Sequence, residues 1–312
     1  MTLFTIDHEK CDKDGICALE CPAHIIEMTD NGPVPSVGAE EICIRCGHCV
    51  AVCPRAALTL KFLSPEDCMP LNKDLALDAA HTEHFLRSRR AVRRYRDKPV
   101  PRDLFEKALG IACCAPTGSN RQEVRWLVID NREDVQKIAA HVIEWMRSVV
   151  KARPEIALTF NMQTLIQHWE QGSDRICRDA PQLVFAHASD EFGSAAADCH
   201  TALAYLELAL PGFGLGSCWA GYVNYAAGQW PALAEFLSFP DNHSCHGALM
   251  VGFPKFKYFR APRRNHPVVR YHEKFSRQES EAEKRLEELR SGKVQAVPGG
   301  KVFENIWKRF EK

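Results

Sequence analysis

The sequence lacks a net charge, because its 312 residues include 40 lysines and arginines and 40 aspartates and glutamates. This balance disfavours a protein whose main partner is nucleic acid, although it permits a local basic cluster. The sequence also lacks an uninterrupted apolar run of the ~18 residues that a membrane span needs. Residues 1–10 lack the apolar core of a signal peptide. We therefore expect a cytoplasmic protein with no membrane span and no nucleic-acid partner.

Cysteine, in contrast, is abundant and unevenly distributed. Of the fourteen cysteines, seven lie within the first 53 residues. An odd number at short spacing is a poor framework for disulfides, and the missing signal peptide indicates a reducing compartment. The N-terminal cysteines are therefore better interpreted as metal ligands.

Residues 43–54 carry the spacing C-x2-C-x2-C-x3-C-P. In iron–sulfur proteins with this run, three cysteines bind one cluster and the cysteine before proline reaches a second cluster. Zinc is the main alternative, but zinc sites usually pair two separated C-x2-C units. The spacing therefore favours iron–sulfur clusters.

An imperfect copy of the motif occupies residues 11–22, with Asp14 where a cysteine is expected. Crossed ligation predicts one complete ligand set, which consists of Cys21, Cys43, Cys46 and Cys49. The other predicted set consists of Cys11, Cys17, Cys53 and either Asp14 or nothing. A carboxylate is a harder ligand than a thiolate, so this second site would hold a labile [4Fe-4S] cluster, a [3Fe-4S] cluster or none.

The chain changes character after residues 1–62, which resemble a bacterial-type dicluster ferredoxin. Residues 63–82 contain prolines without sustained periodicity and are predicted to be a linker. Residues 83–272 alternate helical and strand patterns, which predicts a sheet covered by helices. Residues 273–312 are predicted to form a charged helical tail, either solvated or packed on a partner subunit. The patterns predict helices over 102–111, 135–151 and 194–210, and strands over 124–130, 182–188 and 247–252.

Three segments beyond the linker are candidates for cofactor binding. Residues 87–96 contain six arginines, and Arg89 and Arg93 are spaced to share a helical face suited to a phosphate. Residues 115–122 have the composition of a polar turn, which could contact a heterocycle or simply join a helix to a strand. The glycine-rich residues 211–221 follow a predicted helix and lack the glycine spacing of a dinucleotide fingerprint. We therefore expect no Rossmann NAD(P) site.

In this order, the segments resemble the FMN-dependent nitroreductase family. The resemblance rests on R-R-A-V-R-R-Y-R-D-K-P-V (89–100), A-P-T-G-S-N-R-Q (115–122), G-L-G-S-C-W-A-G (214–221) and V-G-F-P-K-F-K-Y-F-R-A-P-R-R (251–264). With the ferredoxin-like part, the chain is similar to the subgroup of that family that has an N-terminal dicluster ferredoxin domain. The resemblance implies an α+β fold, with a nitroreductase-like sheet covered by helices, and an obligate homodimer with FMN in the subunit interface.

The resemblance also implies which residues contact FMN. The phosphate and ribityl end would be held by Arg89, Arg90 and Arg93, and by Arg263 or Arg264. The flavin would be approached from the other subunit by Pro116, Thr117, Gly118 and Asn120. The ring would lie beside Trp219, Ala220 and Gly221, with the Gly221 amide near flavin N5 and Cys218 close by. Ala91 stands where the family often has serine, so one hydroxyl contact to the phosphate is missing.

These features predict an oxidoreductase in which an external donor reduces the clusters, the clusters reduce FMN, and FMN reduces a small acceptor, nitroaromatics included. Reduced ferredoxin, flavodoxin and NAD(P)H are the candidate donors. No acid or base stands out, so no catalytic side chain is assigned. Two alternatives stay open, namely a redox sensor without turnover and nucleic-acid binding by the arginines, which would depend strongly on salt.

Overall fold

The computed structural model describes residues 2–271 and the single positions 284, 287, 288, 290 and 291. The predicted tail, residues 273–312, lies outside the described residues except for those five positions. In the described part, no helix is long and apolar enough to cross a membrane.

Residues 2–62 form a small domain of short strands and helices around their own apolar core. The strands are β1 (Phe4–Ile6), β2 (Ile26–Thr29), β3 (Gly32–Pro35) and β4 (Leu58–Leu60), and the helices are α1 (Ile16–Glu20), α2 (Ala39–Ile42) and α3 (His48–Ala51). Strand β1 pairs antiparallel with β4, and β2 with β3. Cysteines take part in the core beside Phe4 and Leu58, so this domain packs around its candidate ligands.

Residues 63–82 contain the 3-10 turns Pro65–Asp67 and Lys73–Leu75 and the start of a helix, α4 (Ala79–Ser88). Leu63 and Cys68 pack on the N-terminal core, whereas residues 69–77 are exposed. The second half of the predicted linker is therefore the part that runs over the surface.

The larger part of the chain is built on one four-stranded antiparallel sheet with the order β5-β6-β8-β7. Its strands are β5 (Arg125–Ile129), β6 (Gln182–Ser189), β7 (Gly216–Trp219) and β8 (His243–Gly252). The helices are α5 (Arg102–Ala112), α6 (Arg132–Ala152), α7 (Pro154–Thr159), α8 (Met162–Glu170), α9 (Ala195–Ala209), α10 (Gly221–Gln229) and α11 (Pro231–Leu237). The predicted α+β fold, a sheet covered by helices, is confirmed.

Helices cover both faces of the sheet. Successive side chains of a strand point to opposite faces, so Leu183 and Phe185 of β6 pack with α6 and α10, whereas Val184 and Ala186 pack with α5 and α9. All these side chains are fully buried. The predicted strands 124–130 and 182–188 correspond to β5 and β6, but the sequence patterns missed β7, a four-residue strand that begins Gly-Ser.

Helix α9 is buried on one face only. Cys199, Leu203 and Leu206 are fully buried against the sheet. The opposite face is exposed although it is largely apolar, and it consists of Ala196, Ala197, His200, Ala204 and Tyr205. The sequence predicted a core helix here, and half of that surface has no cover within the described residues.

Gly252, at the end of β8, allows a close approach that positions residues 89–96. A Cβ atom at this position would lie 2.7 Å from the Pro181 ring and 2.8 Å from Tyr95 Cδ1. Tyr95 cannot easily move, because it is buried and its hydroxyl donates to the Val92 and Met250 carbonyls.

Gly252→Ala should therefore lower the free energy of unfolding by about 1–3 kcal/mol through overpacking. The matched control is Gly110→Ala in α5, where an added Cβ meets nothing within 4 Å. That change should raise the free energy of unfolding by about 0.5–1 kcal/mol, because alanine is the better helix former. Urea titrations of both variants test the pair, and equal effects would contradict the steric explanation.

Candidate redox sites

The complete predicted ligand set surrounds one cavity, which we call cavity one. It is lined by Cys21, Cys43, Cys46 and Cys49 together with an apolar wall that includes Leu3, Phe4 and Ile26. The backbone N–H of Arg45 donates to Cys43 Sγ at 3.4 Å, with Arg45 in the left-handed conformation at φ 57°. The loop between α2 and α3 thus directs the side chains of Cys43 and Cys46 toward cavity one. Its Arg45 N–H is a donor to one of these two sulfurs.

The second predicted set surrounds a separate cavity, cavity two. Its lining includes Cys11, Asp14, Cys17 and Cys53. The Ala57 N–H donates to Cys53 Sγ at 3.3 Å, and Asp14 Oδ1 accepts a hydrogen bond from the Ile16 N–H at 3.1 Å. Asp14 therefore stands at the cavity wall and also supports the first turn of α1.

The side chains around both cavities suit iron–sulfur clusters, since cavity one presents four cysteine sulfurs and cavity two presents three cysteine sulfurs and one carboxylate. In the described part of the chain, no three His, Cys, Asp or Glu side chains converge as ligands of a single metal ion. Burial, with smaller contributions from the neighbouring acidic groups, raises the pKa of Cys49 to about 12 and raises that of Cys17. The positive charge of bound iron would oppose this shift and hold the sulfurs as thiolates.

The arginine segment lines a third cavity, cavity three, of ≈600 Å³ including open space. Arg89 and Arg90 lie on its wall beside Gly216, Ser217 and Tyr258. Arg93 is exposed and is not part of this wall. The structure therefore brings two of the three predicted arginines together.

The prediction that Arg89 and Arg93 share a helical face is wrong. Helix α4 ends at Ser88, and the following residues run alongside the sheet. The Val92 N–H donates to the Ser217 carbonyl and the Arg96 N–H donates to the Phe253 carbonyl, both at 2.8 Å. Burial of Val92 and Tyr95 holds this extended path, which the helical spacing of the arginines did not reveal.

Glu207 of α9 organises the region beside cavity three. Its carboxylate accepts hydrogen bonds from Arg89 Nη1 at 3.0 Å and from Trp219 Nε1 at 3.3 Å. Glu207 is only 9% exposed, so the guanidinium compensates a charge that is costly to bury. Sequence reasoning missed Glu207, although a lone glutamate in the apolar half of a helix was a usable signal.

Cys218 and Trp219, the last two residues of β7, lie on opposite faces of the strand. Cys218 is packed in the core with the α6 side chains, and burial raises the pKa of its thiol. Ala220 is buried, with its N–H donating to the Ala248 carbonyl, and Gly221 opens α10 at an exposed position. Cys218 is therefore on the opposite side of the strand from Trp219.

The 115–122 segment lies at the other end of α9. The Gly118 N–H donates to Asp198 Oδ1 at 3.0 Å, in the first turn of the helix. Asn120 Nδ2 donates to the carbonyls of Ile44 and Arg45, at 3.1 and 3.0 Å. Pro116 is exposed and Thr117 is half-buried. This segment is thus joined to the cavity-one loop of the same chain.

Arg263 and Arg264 lie in an exposed segment without regular secondary structure, residues 255–271. Neither lines cavity three.

Comparisons with known proteins agree with this architecture. Residues 86–253 match the nitroreductase family, and residues 3–56 match a 4Fe-4S dicluster domain. A protein of Archaeoglobus fulgidus, provisionally named as an NADH dehydrogenase/NAD(P)H nitroreductase, is 27% identical over 190 residues, which are 60% of this chain and 95% of that protein. An NADH dehydrogenase of Thermus thermophilus is 30% identical over 140 residues, 41% of this chain and 67% of that protein.

Among solved structures, a nitroreductase with bound FMN from Desulfitobacterium hafniense has a TM-score of 0.50 and 20% identity. The similarity covers 61% of this chain and 97% of that one. It shows a shared fold for the part of the chain that contains the four-stranded sheet.

Asp14→Cys should stabilise a four-iron cluster in cavity two, because it supplies a fourth thiolate on the cavity wall. Iron content and EPR spectra of the oxidised protein, prepared anaerobically, measure the change. Asp14→Asn is the matched control, since its amide oxygen can still accept from the Ile16 N–H. Identical spectra for the Asp14→Cys variant and the parent protein would exclude position 14 as a ligand site.

Arg89→Ala should lower the free energy of unfolding by about 2 kcal/mol, less than the ~3–5 kcal/mol of a fully buried pair, because Arg89 is partly exposed. If Arg89 also binds the FMN phosphate, as the resemblance implies, the variant should hold less FMN. Glu207→Gln should cost less stability, since an amide can still pair with Trp219. Adding Glu207→Gln to Arg89→Ala should restore the free energy of unfolding, measured by urea titration. It should not restore the FMN content, measured by flavin release. If the double variant lost as much stability as the two single variants together, the Arg89–Glu207 pairing would be contradicted.

Proposed function

The chain belongs to the nitroreductase family, and we propose that it is an iron–sulfur flavoprotein oxidoreductase that passes electrons from an external donor through its clusters to FMN and on to a small acceptor. One observation carries the proposal. The loop that supplies Cys43 and Cys46 to cavity one is hydrogen-bonded to the 115–122 segment, whose motif implies flavin contacts. A relay requires its two redox sites to lie close together, and this contact joins the segments that would form them.

The chain's own residues would provide the environment of each group. The eight ligand side chains around cavities one and two would hold the clusters, and the apolar wall of cavity one would exclude water. Arg89 and Arg90 would bind the FMN phosphate, for which a planar guanidinium is well suited. Gly221 is the first residue of α10, so its N–H has no partner within the helix. This N–H would donate to the flavin ring. When bound, the clusters supply one-electron transfer and FMN supplies two-electron chemistry.

The exposed apolar face of α9 supports a homodimer. A helix that is apolar on all sides is normally covered on all sides, and here the sheet covers only one. In the proposed dimer, this face packs against the same face of a second copy. Such a self-complementary contact is the usual form of a twofold interface.

The acceptor is proposed to be a small molecule, and nitroaromatic compounds are the first class to test because nitroreductase names occur among the relatives. Reduced ferredoxin, flavodoxin and NAD(P)H are the proposed donors. If no acceptor turns over with any donor that reduces the flavin, a redox-sensing role is favoured instead.

The protein purified without oxygen should release FMN on acid treatment, at about one FMN per chain. Reduced ferredoxin or flavodoxin should bleach this flavin in the parent protein but not in a Cys46→Ala variant, because the variant lacks a ligand of cavity one. Direct photoreduction of the flavin should work in both proteins and serves as the control. A folded protein without flavin would refute the proposal, and equal bleaching in both proteins would remove the clusters from the path.

A further inference from the structure

Asn120 connects the flavin-type segment to a ligand of cavity one. Its side-chain amide donates to the Ile44 carbonyl, and the N–H of the same peptide group, that of Arg45, donates to Cys43 Sγ. A second bond to the Arg45 carbonyl fixes the next peptide as well. Among the hydrogen bonds and ion pairs of the described residues, these two bonds alone join residues 2–62 to residues 83–271. Cavity one, rather than cavity two, is therefore the cluster site held at the domain contact.

The contact and cavity three lie at opposite ends of α9. Asp198 in the first turn binds the Gly118 N–H, whereas Glu207 in the last turn binds Arg89 and Trp219. Nine residues separate these carboxylates, which is roughly 14 Å along a helix at ~1.5 Å per residue. Within one protomer, the cluster site is thus placed away from the arginine cavity.

Pairing α9 with a second copy changes this arrangement. A twofold axis perpendicular to a helix that packs on its own copy makes the two copies antiparallel, whereas an axis parallel to the helix keeps them parallel. The proposed dimer has the perpendicular axis. The beginning of one α9 then lies beside the end of the other. The exposed residues are spread along the helix from Ala196 to Tyr205, so they can form such a contact over most of its length.

We propose that the cavity-one cluster of each protomer reduces the flavin of the partner protomer, and that Asn120 is the positioning residue that holds the cluster loop at this crossing. This inference rests on the proposed function, including the homodimer. Two transfers, each oxidising one reduced cluster by one electron, together with one proton from solvent, convert oxidised FMN to its two-electron reduced anion. The electrons come from an external one-electron donor, here reduced methyl viologen.

Mixed dimers test the crossing. Two differently tagged chains are co-expressed, so that tandem purification yields only mixed dimers. In the split dimer, one chain carries Cys46→Ala and the other carries Arg89→Ala with Glu207→Gln. In the same-chain dimer, all three changes are in one chain and the partner is unchanged. Each dimer should hold one FMN, and the readouts are FMN stoichiometry and single-turnover bleaching by limiting reduced methyl viologen.

The split dimer should bleach its flavin at the rate of the unchanged protein, because its intact cluster site faces its intact flavin site. The same-chain dimer should bleach as slowly as the Cys46→Ala homodimer. The reverse result would establish transfer within one chain and overturn the proposal. Equal rates in both dimers would also overturn it. Dimers without flavin would instead refute the proposed function.

Asn120→Ala tests the positioning role by a separate readout. In the variant, the EPR signal of the reduced cavity-one cluster should change and cluster-dependent bleaching, measured per bound FMN, should slow, while direct photoreduction of the bound FMN still proceeds. Ser119→Ala is the control in the same loop, because Ser119 is exposed and makes no side-chain hydrogen bond among the described residues. Loss of FMN with an unchanged cluster signal would make Asn120 a flavin ligand and overturn its proposed role.

Discussion

Two carboxylates on one largely apolar helix hold the functional segments in place. Asp198 binds the backbone of the 115–122 segment, and Glu207 binds Arg89 and the Trp219 indole. Because α9 also packs against the central strands through Leu203 and Leu206, these anchors are fixed relative to the sheet. The spacing between the cluster contact and the arginine cavity is therefore set by the length of a single rigid element.

The sequence predicted the 4Fe-4S dicluster domain in more detail than the nitroreductase domain. Cysteine spacing fixes which side chains a short loop can direct at one point, so the grouping around cavities one and two could be inferred from residues 11–22 and 43–54. The path of Arg89–Arg96 could not, because it depends on backbone hydrogen bonds to β7 and β8. Strand β7 itself carries too few β-forming residues to be recognised without its neighbours.

The hydrogen-bond partners of individual polar side chains also could not be predicted from the sequence. The resemblance implied that Asn120 contacts a flavin, but within this chain its amide donates to the Ile44 and Arg45 carbonyls, 75 or more positions away in the sequence. Asp14 was predicted either to complete the second ligand set or to take no part in it, and it both lines cavity two and accepts a hydrogen bond from the Ile16 N–H at the start of α1. One residue can serve two roles when a cavity and a helix terminus share a wall.

The alternation of side chains along β7 has a consequence for chemical durability. Trp219 faces α9 and is 39% exposed, whereas the neighbouring Cys218 points into the core and is 6% exposed. Oxidants attack the thiolate form of cysteine, and burial keeps Cys218 as the protonated thiol. The Cys218 sulfur can thus lie one residue from a candidate redox centre and still resist conversion to sulfenic acid. The reason is that neighbouring residues of a strand point to opposite faces of the sheet, and Cys218 points to the face that is buried from solvent.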